Sequence, residues 1–141
     1  MIDCASVEKL LGYSDLIVHR ILDDDDGYHI YGFSSLSEGL HPQSLSRSTQ
    51  VVQKRERVFR EQSLFGKRVY LHITVRKFKL SSGETFWESL SFVRGRSRMT
   101  RNYEQYLYES CIGVDMSYVA QKEGLDVNTV SSLFQMLSKK N

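Results

Sequence analysis

From Met116 to Leu137 the chain reads MSYVAQKEGLDVNTVSSLFQML. Ala120 is small enough to sit where two helices cross. Gly124, four residues on, supplies the positive φ that a tight turn between helices demands. Leu125 covers the core after the turn, and Asp126 offers a side-chain oxygen to an unpaired N–H at the start of the next helix. Val130 and Leu133 stand three apart, and Val119 and Val127 complete the apolar set. This spacing predicts a helix-turn-helix. With Val127, Val130, Leu133 and Phe134 turned inward, Asn128, Thr129, Ser131, Ser132 and Gln135 turn outward. Small polar side chains at a helix N-terminus suit base edges and phosphates in a major groove. A helical hairpin with no nucleic-acid role is the bland alternative, and the agreement of the apolar positions with the glycine weighs against it. The second helix is poor in Arg and Lys, so other surfaces must contribute to affinity.

Working toward the N-terminus, TRNYEQYLYESCIG places Tyr103, Tyr106 or Leu107, and Ser110 on one helical face, with Thr100 as the expected N-cap. That helix makes the unit three-helical. Ahead of it, RGRSRMTR carries Arg94, Arg96, Arg98 and Arg101, an arm suited to phosphates or a minor groove, or else a flexible basic linker. The RERVFR and RKFK stretches extend the same field.

Residues before about position 95 have a different rhythm. KRVYLHITVRKFKL sets Val69, Leu71, Ile73 and Val75 in alternation with Tyr70, His72, Thr74 and Arg76, which predicts a long half-buried strand. TFWESLSFV is expected to pair with it as a hairpin across SSGE. QVVQKRERVFREQ reads as an exposed strand ended by Gly66. DLIVHRIL and YHIYGF flank an acidic turn containing Asp26-Gly27, a strong hairpin signal. The Asp run does not alternate as a calcium loop does. His19 and His29 are placed to face each other across that hairpin. A short helix is expected over Val7–Leu11, with Ser6 as its cap and Gly12 as its stop. The Ser-rich stretch 35–50, which holds the one proline, is a loop.

The fold class expected is therefore α+β. N-terminal antiparallel β-hairpins over residues 1–95 precede a three-helix helix-turn-helix domain over 96–141. The 141 residues, 40% hydrophobic and 26% charged, suit one ordinary domain or two small ones. No apolar run approaches the length of a membrane span, no secretory signal opens the chain, and Cys4 and Cys111 read as reduced thiols, so a cytoplasmic location is expected. The net charge of +2 conceals a split. Residues 1–35 carry seven acids against two bases, 36–112 carry fourteen bases against seven acids, and 113–141 carry three of each. The basic middle is a candidate anion surface. No phosphate loop, nucleophile elbow, zinc-protease motif or useful Cys–His pair is present, so no catalytic residue and no enzymatic activity is expected.

In order, these elements resemble the N-terminal region of bacterial insertion-sequence transposases of the IS-L-three type. LLGYSDLIVHRILDDDDGYHIYGF is similar to the family's opening hairpin, VYLHITVRKFKLSSGETFWESL to the second half of its zinc ribbon, and RMTRNYEQYLYE with SYVAQKEGLDVNTV to its DNA-binding helices. The resemblance implies a ribbon, a helix-turn-helix and then a three-acid catalytic domain. The family's first cysteine pair falls near His41-Pro42-Gln43-Ser44, and its second falls at Leu80 and about Gly83. At least three of the four ligands are missing, so the expectation is a degenerate, metal-free ribbon held by Phe78, Phe86 and Trp87. No cofactor is expected.

The catalytic domain has no counterpart, so the resemblance implies a DNA-binding portion of a mobile element rather than transposition by these residues alone. Double-stranded DNA is the expected partner. Asn128, Thr129, Ser131, Ser132 and Gln135 are the expected readers, and Arg94, Arg96, Arg98 and Arg101 the backbone contacts. A separate transposase catalytic subunit and a second copy of the chain are further candidate partners. The alternative is a protein-interaction or inhibitor module that uses the acidic hairpin and aromatic surface.

Overall fold

The computed structural model describes residues 3–139. The chain is α+β and divides into two compact units, Met1–Thr100 and Arg101–Asn141. Residues 96–100, grouped with the helices in the sequence reading, lie in the first unit.

The first unit opens with α1 (Cys4–Leu11) and continues with β1 (Leu16–Asp24) and β2 (Gly27–Ser34). Two very short strands follow, β3 (Gly39–Leu40) and β4 (Arg47–Ser48), then the long β5 (Val51–Leu64) and β6 (Lys67–Lys79), and finally β7 (Thr85–Trp87). Helix α1 is capped by Asp3, whose carboxylate accepts the Ser6 N–H at 2.7 Å. Ser6, read from the sequence as the cap, therefore lies inside the helix. Gly12 ends it with φ 75°, as expected.

Strands β1 and β2 form the acidic-turn hairpin. The register pairs Asp24 with Gly27, so the loop residues are Asp25 and Asp26, and Gly27 opens the second strand. Asp24 closes the turn by accepting the N–H groups of Asp26 and Gly27. Gly27 is required at this point, because a Cβ there would lie 2.2 Å from the Arg68 carbonyl oxygen.

The sheet order is β1-β2-β6-β5, with β7 also pairing β6. Three of these pairings are antiparallel, but β2 and β6 run parallel from Tyr28↔Val69 to Phe33↔Thr74. Sequence spacing had suggested separate antiparallel hairpins, and the parallel seam joins them into one sheet. It also corrects the second hairpin. The main partner of β6 is β5, across the Phe65-Gly66 turn. TFWESLSFV contributes only the three residues of β7, which pairs with Lys77–Lys79 beyond the end of the β2 seam.

The alternation read in β6 is real. Val69, Leu71, Ile73 and Val75 are 0–1% exposed and pack with Phe59, Ile30, Leu16, Val18, Phe92 and the α1 residues Val7 and Leu11. Each fully buried side chain of this kind contributes about 1.5–3 kcal/mol of hydrophobic stabilisation. On the other face His29 does not meet His19. Its Nδ1 lies 2.8 Å from His72 Nε2, and the pair is flanked by Asp24 and Glu56, each 3.3 Å away.

The two turns where the resemblance places cysteine pairs do approach each other, but their chemistry differs from a zinc site. His41 Nδ1 accepts the N–H groups of Gln43 and Ser44, so Nε2 carries the hydrogen that is donated to Glu84 Oε2 at 2.6 Å. Phe86 meets His41 edge-on and Phe78 stacks beneath it. Leu80 and Gly83 offer no ligating atom, and Ser44 is bonded to Ser46. The residues present do not fit zinc. Among the described residues no three His, Cys, Asp or Glu side chains form a metal-holding group.

The second unit consists of α2 (Arg101–Ser110), α3 (Met116–Glu123) and α4 (Val127–Ser138). Among the described residues no helix is long and apolar enough to cross a membrane.

Candidate nucleic-acid interface

The turn between α3 and α4 is built as its sequence dictates. Gly124 takes the left-handed conformation, φ 70° and ψ 36°, and its N–H reaches back to the Ala120 and Gln121 carbonyls. The Leu125 N–H donates to the Ala120 carbonyl at 2.9 Å, which closes the last turn of α3. One residue later Asp126 caps α4 through the Asn128 N–H at 2.7 Å. Asp115 caps α3 through Ser117 in the same manner. Both helix starts are thus fixed by an aspartate, and both favour that negative charge through their dipoles.

The helices pack on Val119, Ala120, Val130 and Leu133 with Tyr103, Leu107 and Cys111 of the first helix and its end. Tyr108 stacks on Phe134 with ring centroids 5.0 Å apart. Val127 does not join this core. It is 41% exposed, because the first residue of α4 precedes the turn that faces its neighbours. A polar cluster was missed from the sequence. Glu123, only 5% exposed, receives the Tyr103 hydroxyl at 2.7 Å and the Tyr106 hydroxyl at 3.0 Å. Burial, and then the Glu123 carboxylate, pushes the Tyr106 hydroxyl above its usual pKa. Burial likewise raises the Cys111 thiol. A glutamate ending a helix next to glycine gives no sign of burial, and the tyrosines that satisfy it lie some twenty positions away.

Asn128, Thr129, Ser132 and Gln135 are exposed along α4, and Ser131 is half-buried. The structure therefore gathers the expected readers on one helix, with four of the five open to solvent. Helix α4 contains no Lys or Arg. The expected backbone contacts are distributed differently. Arg101 is the exposed first residue of α2, Arg96 and Arg98 are exposed, and Arg94 is half-buried. The segment holding Arg94, Arg96 and Arg98 is neither a free arm nor a flexible linker. The Arg60 N–H donates to the Arg98 carbonyl at 2.9 Å, and the Thr100 N–H donates to the Arg60 carbonyl at 3.0 Å, tying the segment to β5.

Neither a curated protein nor a solved structure matches the chain. The region that comparison does recognise is the one just described. Residues 88–137 match the family model of the helix-turn-helix domain of transposase family ISL3, a match that takes in the three helices of the second unit and leaves out the ribbon-like part.

Proposed function

We propose that the chain binds double-stranded DNA as a transposase-like recognition module, with α4 as the helix that enters the major groove. The observation that carries this reading is the exposed face of Asn128, Thr129, Ser132 and Gln135 on a helix whose start is fixed by Gly124 and Asp126. Amide and hydroxyl groups of this kind pair with base edges, and an amide side chain can hold adenine by two bonds. Arg94, Arg96, Arg98 and Arg101 contact the backbone, which sets register without reading sequence. Within an insertion element such a module recognises element ends, while a catalytic part outside these residues cuts and joins the strands. The acidic hairpin supports an inhibitor role poorly. Asp23 is paired with Lys67, and Asp24 is spent on its own turn and on His29.

The test is selection from randomised duplex DNA with the full chain, followed by sequencing. The native chain should enrich one motif. Gln135→Ala should lose preference at one base position of that motif, equivalent to about 1–3 kcal/mol of discrimination. Identical enrichment by the native chain and an Asn128→Ala/Gln135→Ala variant would rule out α4 as the reader.

A further inference from the structure

Helix α4 brings no cation to DNA, and residues 113–141 carry as many acids as bases. A polyanion needs a cationic surface elsewhere, and the sheet unit has one. The face of β5 that buries Phe59 and Glu61 continues, two residues at a time, to Arg57 and Arg55, past the point where apolar filling stops. The Arg55 guanidinium lies 4.2 Å over the Trp87 ring, and that of Arg57 lies 4.8 Å over Phe59. The tied segment that follows Val93 brings Arg96 and Arg98 to the same place. The result is a cleft of about 920 Å³ whose walls include Arg55, Arg57, Arg96, Arg98, Trp87 and Pro42.

The positive charge there is uncompensated. Among the described residues none of these four arginines forms an ion pair with a carboxylate. The carboxylate on the wall, Glu88, is occupied by the backbone N–H, Nε and Nη2 of Arg76 at 2.7–3.0 Å. The crowding is also felt within the cluster. Burial first, then the charges of Arg55 and Arg98, hold Arg57 below the usual arginine pKa. Gathering four guanidinium groups without counter-charge costs free energy in the unbound protein and is recovered when an anion enters.

We propose that this cleft is a second DNA contact, a clamp for the sugar–phosphate backbone of the duplex in which Arg55, Arg57, Arg96 and Arg98 hold phosphate oxygens. The planar guanidinium fork matches phosphate geometry, and a repeating polyanion can engage four forks at once. Single-stranded nucleic acid fits less well. Stacked bases need an open aromatic face, and Trp87 is covered by Arg55 and flanked by Lys77, 5.7 Å from the ring centroid. The partner rests on the DNA-binding reading above and the clamp shares Arg96 and Arg98 with it, but Arg55 and Arg57 belong to the clamp alone, so substituting those two tests it separately.

The experiment is an anisotropy titration of the full chain with a fluorescein-labelled 24-base-pair duplex of random sequence, from about 50 to 200 mM NaCl. Arg55→Gln/Arg57→Gln should weaken binding at least about tenfold at the middle of that range. It should also reduce the slope of log affinity against log salt by about 1.8, at about 0.9 per lost phosphate contact. Arg55→Lys/Arg57→Lys, which keeps the charge, should retain most of the slope and guards against a folding artefact. Asn128→Ala/Gln135→Ala should leave this random-duplex slope in place while abolishing motif selection. An unchanged slope in the glutamine variant, with motif selection intact in the native chain, overturns the clamp and spares α4. A reduced slope alongside unaltered motif selection by the Asn128→Ala/Gln135→Ala variant overturns α4 and supports the clamp. Stronger competition by a single strand or by polyglutamate than by the duplex overturns the assignment of the partner.

Discussion

In the sheet unit, β6 buries Val69, Leu71, Ile73 and Val75 in an apolar interior that also holds Ile30, Phe59 and Phe92, whereas the helical unit closes around a carboxylate, Glu123, held by two tyrosines. Among the largest fully buried side chains of the described residues, only Tyr103 and Leu107 belong to the helical unit. Their charges differ too. Among the described residues the sheet unit presents Arg55, Arg57, Arg96 and Arg98 without a carboxylate partner, while α4 presents neutral amides and hydroxyls. Buried apolar side chains and cationic surface are thus concentrated in one unit, and a face of neutral hydrogen-bonding side chains in the other. A small helical unit with a thin core depends on turn geometry and on satisfied polar groups more than on buried area.

The most severe way to probe this difference is Phe59→Ala. It should destabilise the sheet unit by about 3–5 kcal/mol through lost burial and a cavity, read as a lower urea midpoint. A change below about 1 kcal/mol would show that the interior around β6 does not hold that unit together. In the helical unit the sharpest single change is Gly124→Val. Its left-handed φ strains any β-branched residue, at a cost on the order of 1–3 kcal/mol. The helical melting signal and motif selection should fall together, while amide protection in β5 and β6 persists. Retention of both would mean that the turn tolerates a side chain. A smaller effect, about 1–3 kcal/mol at most, is expected for Tyr103→Phe, which removes one donor from the buried Glu123. If this variant melts like the native chain, the carboxylate is not a structural centre.

The smallest effect is acid sensitivity. Burial, opposed by Glu56 and reinforced by His29, holds the His72 pKa below its ordinary value of 6.5. The unfolded chain therefore binds this proton more readily. The contribution of His72 is fully present above pH 6.5 and is lost as pH falls from there toward the folded value. Asp24, Glu56, Tyr31 and Tyr70 face the His29–His72 pair. The midpoint of the sheet unit should drop between pH 7 and pH 5.5, and His72→Gln should flatten that drop. The helical unit has no histidine and should show no such step. A step of equal size in the His72→Gln chain would assign the sensitivity elsewhere.

The parts of the molecule set by local rules were legible in its sequence. Gly124 and Asp126 act within a few residues, and both behave as their chemistry requires. The alternation in β6 named its buried face residue by residue. The features that depend on distant partners were not legible. The β2–β6 seam joins residues about forty positions apart without any local mark, and it set His29 against His72 rather than His19. The expected strand ends after Trp87, where the Glu88 carboxylate accepts from Arg76, twelve positions away. The exposure of Asn128, Thr129, Ser132 and Gln135 on α4 could be read from helical phase. The shared basic character of RERVFR and the 94–101 segment was legible, but the cleft was not, because no local signal shows that residues 98 and 100 are tied to Arg60 of β5.

The parallel seam has one more consequence. It starts β2 and β6 at the same end of the sheet, so the four-aspartate turn sits beside Lys67 and Arg68. Six residues farther along β6, Val75 pairs with Arg55 of the cleft. At about 3.3 Å per residue, the acidic tip and the arginine cluster stand roughly 20 Å apart on one rigid sheet. That arrangement is an electric dipole. In the field of a polyanion such a dipole experiences a torque that turns the arginines toward the polyanion and the aspartates away before any atom touches. The Debye length at physiological salt is about 8 Å, so this steering acts in the last few ångströms of approach and fades as salt rises.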